Sequence, residues 1–267
     1  MKKLIKYSYI VFFTITLLLS KASAAPTFVH GFSVNSQETN PAGLAFSSDG
    51  TKMFHVGNIM SGNHAKTNAD VFEYALSTPW DVSSATYVDA FSVIDEMKVD
   101  NQSSLPYGIT FNNDGTQMYV SDYGITDSIY QYTLSRAYDV STASYANKSI
   151  DVDAKVGSAN RGPCGIRFNN DGTKLFMTGF NSDFINEYTL STAFDISTGS
   201  YSQRFSVASQ DTYPRDVDFN PSGTQMYVVG GENDRIHGYD LSTGFDVSTA
   251  SYYGYFYFGS YDGNPFS

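Results

Sequence analysis

Arg215-Asp216-Val217-Asp218 sets a guanidinium and two carboxylates within four residues, and Arg167 stands in the related segment Pro163-Cys164-Gly165-Ile166-Arg167. Two Arg and two Asp brought together can grip an anionic or polyhydroxyl ligand through charge-assisted hydrogen bonds. The same groups can instead form an ion-pair network that only fixes the framework. Tyr107, Asp122 and Arg161 complete the candidate ligand-binding set with Arg167, Arg215, Asp216 and Asp218. Asp122, Asp153, Asp216 and Asp218 are the carboxylates that could share a divalent cation, which needs several oxygens at roughly 2.4 Å.

Other catalytic patterns are missing from the sequence. The four His, at 30, 55, 64 and 237, form no His-x-x-x-His pair. Asp151-Val152-Asp153 starts like a calcium loop, but Lys155 takes the fifth position and Gly162 stands where the closing Glu belongs. Neither a Gly-x-Ser-x-Gly elbow nor a phosphate-cradling Gly-rich Lys loop occurs. Cys164 reads as a small packed residue rather than a nucleophile. No cofactor is expected, with Ca2+ as the one alternative.

The elements that must position these residues are legible as an internal repeat. Four segments begin Pro41-Ala42-Gly43-Leu44-Ala45-Phe46, Pro106-Tyr107-Gly108-Ile109-Thr110-Phe111, Pro163-Cys164-Gly165-Ile166-Arg167-Phe168 and Pro214-Arg215-Asp216-Val217-Asp218-Phe219. Each enters a turn at Asp49-Gly50, Asp114-Gly115, Asp171-Gly172 or Ser222-Gly223, then a strand such as Met118-Tyr119-Val120. A third strand ends at Tyr74, Tyr132, Tyr188 or Tyr239. Trp80-Asp81, Tyr138-Asp139, Phe194-Asp195 and Phe245-Asp246 follow, and Tyr87, Tyr145, Tyr201 and Tyr252 lead into a fourth strand. Units of about 50 residues with four strands and no helical stretch predict an all-β fold, a β-propeller of four recognisable four-stranded blades. A four-stranded sheet with two apolar faces needs a neighbour on each side, which is why the unit repeats. The blades span about 41–91, 106–151, 163–207 and 214–258, with an extra N-terminal strand at about 28–34.

The pattern Pro-x-Gly-Ile-x-Phe-x-x-Asp-Gly-Thr-x-Met-Tyr-Val at 106–120 resembles the YVTN/NHL-type (WD40-like) propeller repeat of secreted and surface-layer proteins. The resemblance covers about 41–252 and speaks to fold, not activity, since such families include lactonases, quinoprotein-like domains and plain binding scaffolds. This chain departs from them in having four copies where six to eight are usual, and in carrying Asp-Val-Ser-Thr-Ala-Ser-Tyr, as at 139–145. Trp80, the only Trp, lies in a structural column, which disfavours a tryptophan-lined quinone pocket.

Spacing within the chain separates two rims. From Pro to turn Gly the interval is 9 in all four units, and from the third-strand Tyr to the later Tyr it is 13 in all four. From turn Gly to third-strand Tyr it is 24, 17, 16 and 16; from later Tyr to the next Pro it is 19, 18, 13 and 13. In an antiparallel meander the first pair of connections shares one end and the second pair the other. Insertions therefore gather on one rim, and 57–69, 94–105, 121–127 and 153–162 form the candidate binding surface, with the shorter 35–40, 178–183, 208–213 and 229–234. Asp49, Asp114 and Asp171, and Asp81, Asp139, Asp195 and Asp246, read as turn and cap residues rather than site residues.

Composition bounds the partners. Met1-Lys2-Lys3, an apolar run from Tyr9 to Leu19 and Ala22-Ser23-Ala24 have the order of a secretory signal, so 1–24 is expected to be removed on export to the periplasm, cell surface or medium. The remaining chain has 12 basic and 27 acidic residues, a net charge of −15, which disfavours nucleic acid. No later segment is apolar enough for a membrane-spanning helix. The leading expectation is a non-enzymatic scaffold binding an extracellular or periplasmic glycan, peptide or surface component. A lactonase-like hydrolase with a divalent cation at the channel mouth, and a structural surface-layer component, are the alternatives. Phe32-Ser33-Val34 and Phe256-Tyr257-Phe258 both match the fourth strand, so five such strands accompany four of each other type. Either the N-terminal strand laces onto the last blade of a small ring, or the chain is a shortened version of a larger propeller. An incomplete ring would favour homo-oligomers.

Overall fold

Alternating apolar residues, β-branched and aromatic side chains, and Asp-Gly or Ser-Gly turns make each unit a four-stranded antiparallel meander. The structure, a computed structural model, describes residues 28–57, 70–93, 105–123, 127–152, 162–179 and 182–259. Blade I is β1 (Pro41–Phe46), β2 (Lys52–Gly57), β3 (Asp70–Leu76) and β4 (Ala85–Ser92). Blade II is β5 (Pro106–Phe111), β6 (Gln117–Asp122), β7 (Ser128–Leu134) and β8 (Ala143–Asp151). Blade III is β9 (Pro163–Phe168), β10 (Lys174–Gly179), β11 (Ser182–Leu190) and β12 (Gly199–Ser206). Blade IV is β13 (Pro214–Phe219), β14 (Gln225–Gly230), β15 (Arg235–Leu241) and β16 (Ala250–Tyr257). Each sheet keeps sequence order, which defines a four-bladed β-propeller. Among the described residues no helix is long and apolar enough to cross a membrane. The expected leader at 1–24 and most of the four longest candidate loops lie outside the described residues.

The invariant rim is locked locally. Gly50, Gly115, Gly172 and Gly223 have φ between 68° and 72°, and the rings of Trp80, Tyr138, Phe194 and Phe245 lie where a Cβ would stand. Those four aromatics themselves hold φ of 55° to 65°, uncommon for bulky residues. A backbone hydrogen bond to the turn Gly carbonyl fixes each, as from Tyr138 N to Gly115 O at 2.9 Å. Asp81, Asp139, Asp195 and Asp246 then cap single 3-10 turns by accepting the N–H two residues on.

Blades pack face to face in succession. Phe54, Val56 and Val71 of blade I meet Met118, Val120 and Tyr132 of blade II. Tyr119 and Ile129 meet Leu175, Met177 and Tyr188 at the next junction, and Phe176 and Ile185 meet Met226, Val228 and Tyr239 at the third. Burying such side chains stabilises each junction by about 1.5–3 kcal/mol per residue. Among the described residues no comparable junction joins blade IV to blade I. Phe32 and Val34 pack instead on blade I with Met53, Phe72 and Tyr74, while blade IV's sheet contains β13 to β16 alone. The N-terminal segment therefore does not lace onto the last blade. Within 28–34 only Phe32 makes a bridge, so the expected strand there is an extended segment seated on a blade face.

Candidate functional site

The innermost strands β1, β5, β9 and β13 follow one another across the three junctions. Glycine permits their close approach: a Cβ on Gly108 would overlap the Cys164 carbonyl, and one on Gly165 would overlap Asp216. Hydroxyls on the second strands stitch these contacts. Ser121 Oγ accepts from Gly108 N at 2.7 Å and donates to Cys164 O at 2.5 Å. Thr178 Oγ1 accepts from Gly165 N at 2.8 Å and donates to Arg215 O at 3.0 Å.

The candidate residues separate into two groups along this wall. Toward the variable rim, Tyr107, Cys164 and Arg215 occupy one position on three successive blades. Burial pushes the Tyr107 hydroxyl up to about 12, and the Arg215 guanidinium beside it opposes that shift. Burial also lifts the Cys164 thiol to about 12, again against the pull of Arg215, so the thiol stays protonated. Tyr123 meets Tyr107 edge-on with centroids 6.4 Å apart.

Three residues further along the strands, Arg167 Nε lies 3.2 Å from Asp218 Oδ1 across the III–IV junction, with 60% of the Asp218 side chain exposed. Burial pushes the Asp216 carboxyl up to about 6; Arg167 opposes this and Asp218 adds to it. Asp216 and Asp218 each also accept the following backbone N–H, at 2.9 and 2.8 Å. Arg167 and Asp218 thus form the inter-blade ion pair weighed from the sequence.

Asp122 is buried at the end of β6, where it accepts Leu105 N at 2.5 Å. In blades I and IV the equivalent space beside Gly57 and Gly230 holds the carboxylates of Glu38 and Asp211. Glu38 accepts Asn40 N, and Asp211 accepts Tyr213 N, both at 2.7 Å. Sequence reasoning missed this set of loop-closing acids, although Gln37-Glu38 and Gln210-Asp211 both precede the strand Pro by the same interval. Arg161 and Asp153 lie outside the described residues. Among the described residues no three His, Cys, Asp or Glu are grouped to hold a metal ion.

A polar cleft of about 190 Å³ opens near the invariant rim, lined by Ala45, Ser48, Thr110, Asn113, Arg167 and Asn170 among others. Asn113 Nδ2 donates to Asn170 O, and Asn170 Nδ2 to Pro221 O, each at 2.7 Å. Ser48 holds the same position in blade I and is shorter, which leaves space at the I–II junction. The small Ala45 and Ser48 were the sequence signal for it.

The fold and this wall of inner strands define a four-bladed β-propeller. No protein-family model matches the chain, and no curated protein matches it in sequence. Among solved structures, a protein of unknown function from Desulfotomaculum acetoxidans is 12% identical with a TM-score of 0.52, over 90% of this chain and 63% of that one. A candidate 6-phosphogluconolactonase from Bacteroides fragilis is 14% identical with a TM-score of 0.50, over 80% of this chain and 70% of that one. The chain thus spans less than two thirds of the first of these, and the likeness at such identity shows the fold alone.

Proposed function

We propose that the chain is an exported binding scaffold of the YVTN/NHL type whose variable rim takes a glycan, peptide or surface component. One observation carries the reading: four blades share the same turns at one rim, yet place Ala42, Tyr107, Cys164 and Arg215 at one position near the other. A framework repeated for stability alone has no need to vary this position so widely while it keeps its turns. The acidic charge disfavours nucleic acid, and residues 1–24 supply the export signal. The test is a glycan and peptide array probed with the purified protein. Arg215→Ala is expected to lower binding at least tenfold, while Asp139→Ala on the invariant rim leaves it unchanged. Equal binding by both variants overturns the reading.

A second reading, hydrolysis of a lactone, draws on the Asp216 carboxyl held at about 6 beside Arg167. A protonatable carboxyl of that kind can act as a general base near neutrality. Turnover of 6-phosphogluconolactone that disappears in Asp216→Asn supports it; absence of turnover with and without added Ca2+ removes it.

A further inference from the structure

We infer that two copies of this chain associate head to tail, blade IV of each against blade I of the other, closing an eight-bladed ring about a two-fold axis. This stands apart from the rim-binding reading. Within the chain each blade turns one face toward its successor, and Phe54, Tyr119 and Phe176 on that face are fully buried, as are Val71, Ile129 and Ile185. Their counterparts in blade IV, Tyr227 and Ile236, are only half-buried, and Val229 and Phe256 on the same face are also half-buried. Tyr253, 44% exposed, lies over Gly238. The face of blade IV thus continues the apolar surface of the three existing junctions and also presents Asp240, in register with Gln225 beside Tyr227.

Blade I offers the matching half. At the II–III junction Tyr119 Oη reaches both Gln117 Oε1 at 2.7 Å and, across the junction, Phe194 O at 2.5 Å. Tyr227 repeats the first of these, with Gln225 Oε1 at 3.0 Å. The blade I counterpart of Phe194 is Trp80, which is 45% exposed where Tyr138, Phe194 and Phe245 are half-buried. Tyr227 of one copy is therefore placed to reach Trp80 O of the second. Phe91 packs edge-on against Tyr132 at 5.5 Å, and Phe205 against Tyr239 at 5.6 Å, so the outer strands of blades I and III each seat a ring on the next blade, where blade II has Ile150. On blade I, Phe32 already holds that seat, 5.6 Å from Tyr74. Phe256 of the second copy must replace it, so association proceeds by exchange of one outer strand for another. Four blades from each of two copies give eight, within the four to eight usual for closed propellers.

The mass in solution, by light scattering on the purified chain across a concentration series, tests this. A mass twice that of the chain is expected. Phe32→Ala is expected to raise the dimer fraction and Phe256→Ala to lower it. Tyr227→Lys and Trp80→Arg are each expected to give monomers, and mixing them to restore a dimer through the one intact junction. Trp80→Tyr, the blade II residue, controls for folding. Monomers at every concentration in both wild type and Phe32→Ala overturn the inference. So does a dimer unaffected by Trp80→Arg, which would point to blade IV pairing with itself.

Discussion

Glu73 Oε2 accepts the Val140 N–H at 3.0 Å, joining a third strand of blade I to the capped turn of blade II. Its other oxygen holds Lys52 Nζ at 2.7 Å, and that ammonium donates to Tyr138 O at 2.6 Å. Blade III repeats the arrangement: Glu187 pairs with Lys174 at 2.8 Å and accepts Val247 N at 3.3 Å, and Lys174 donates to Phe245 O at 2.7 Å. Blade II does the same without charge, Gln131 accepting Ile196 N at 3.2 Å and donating to Gln117 at 2.7 Å. Blade IV has Gln225 and Gly238 at these positions, so this latch exists only at the three formed junctions.

Removing one partner of the latch should cost more than replacing both. Glu187→Ala leaves the Val247 N–H and the Lys174 ammonium without their buried acceptor and is expected to cost about 2–4 kcal/mol. The pair Lys174→Gln with Glu187→Gln reproduces blade II and should recover most of that loss. Urea unfolding of the three proteins measures this; equal losses in single and double variants would show that the latch is not a unit.

Gly172 has φ of +70° with the Phe194 ring over it. Gly172→Ala adds both left-handed strain and ring overlap, at an expected cost of about 2–4 kcal/mol. Thermal melting of the variant checks this, and a change near zero would mean that Phe194 moves aside freely.

Cys164 is fully buried and its thiol is pushed up to about 12. At pH 8 in native buffer it should resist Ellman's reagent for hours, then react fully in denaturant. Rapid labelling of the native protein would contradict the packing around it.

Buried His55 and half-buried Asp216 oppose each other in acid. Burial lowers His55 to about 4, below its unfolded value, so its contribution is complete above about 6.5 and is lost as pH falls toward 4. Burial raises Asp216 to about 6, above its unfolded value, so its contribution is complete below about 4 and is lost as pH rises toward 6. Asp216→Asn removes only the second effect. Between pH 6 and 4 that variant should lose about 1–3 kcal/mol more stability than wild type. Parallel stability curves for the two proteins would rule out an Asp216 carboxyl that titrates above its ordinary range.

The strands, turns and unit boundaries were legible because the forces that set them are local. Asp114 accepts Thr116 N at 2.9 Å and Asp139 accepts Ser141 N at 3.2 Å, bonds spanning two residues that any copy of the motif makes alone. The repeat also announced that faces must pair, since Met118, Val120 and Tyr132 alternate toward one side. What tertiary structure alone decided lies between units. The Glu73–Val140 bond joins residues 67 apart, so only packing could reveal its acceptor, and the positive φ of Tyr138 appears only once its ring rests on Gly115. Packing also divided the candidate cluster, sending Arg215 toward Tyr107 and Cys164 and pairing Arg167 with Asp218. Spacing along one strand fixes which side chains share a face, but the offset between neighbouring blades fixes which of them touch.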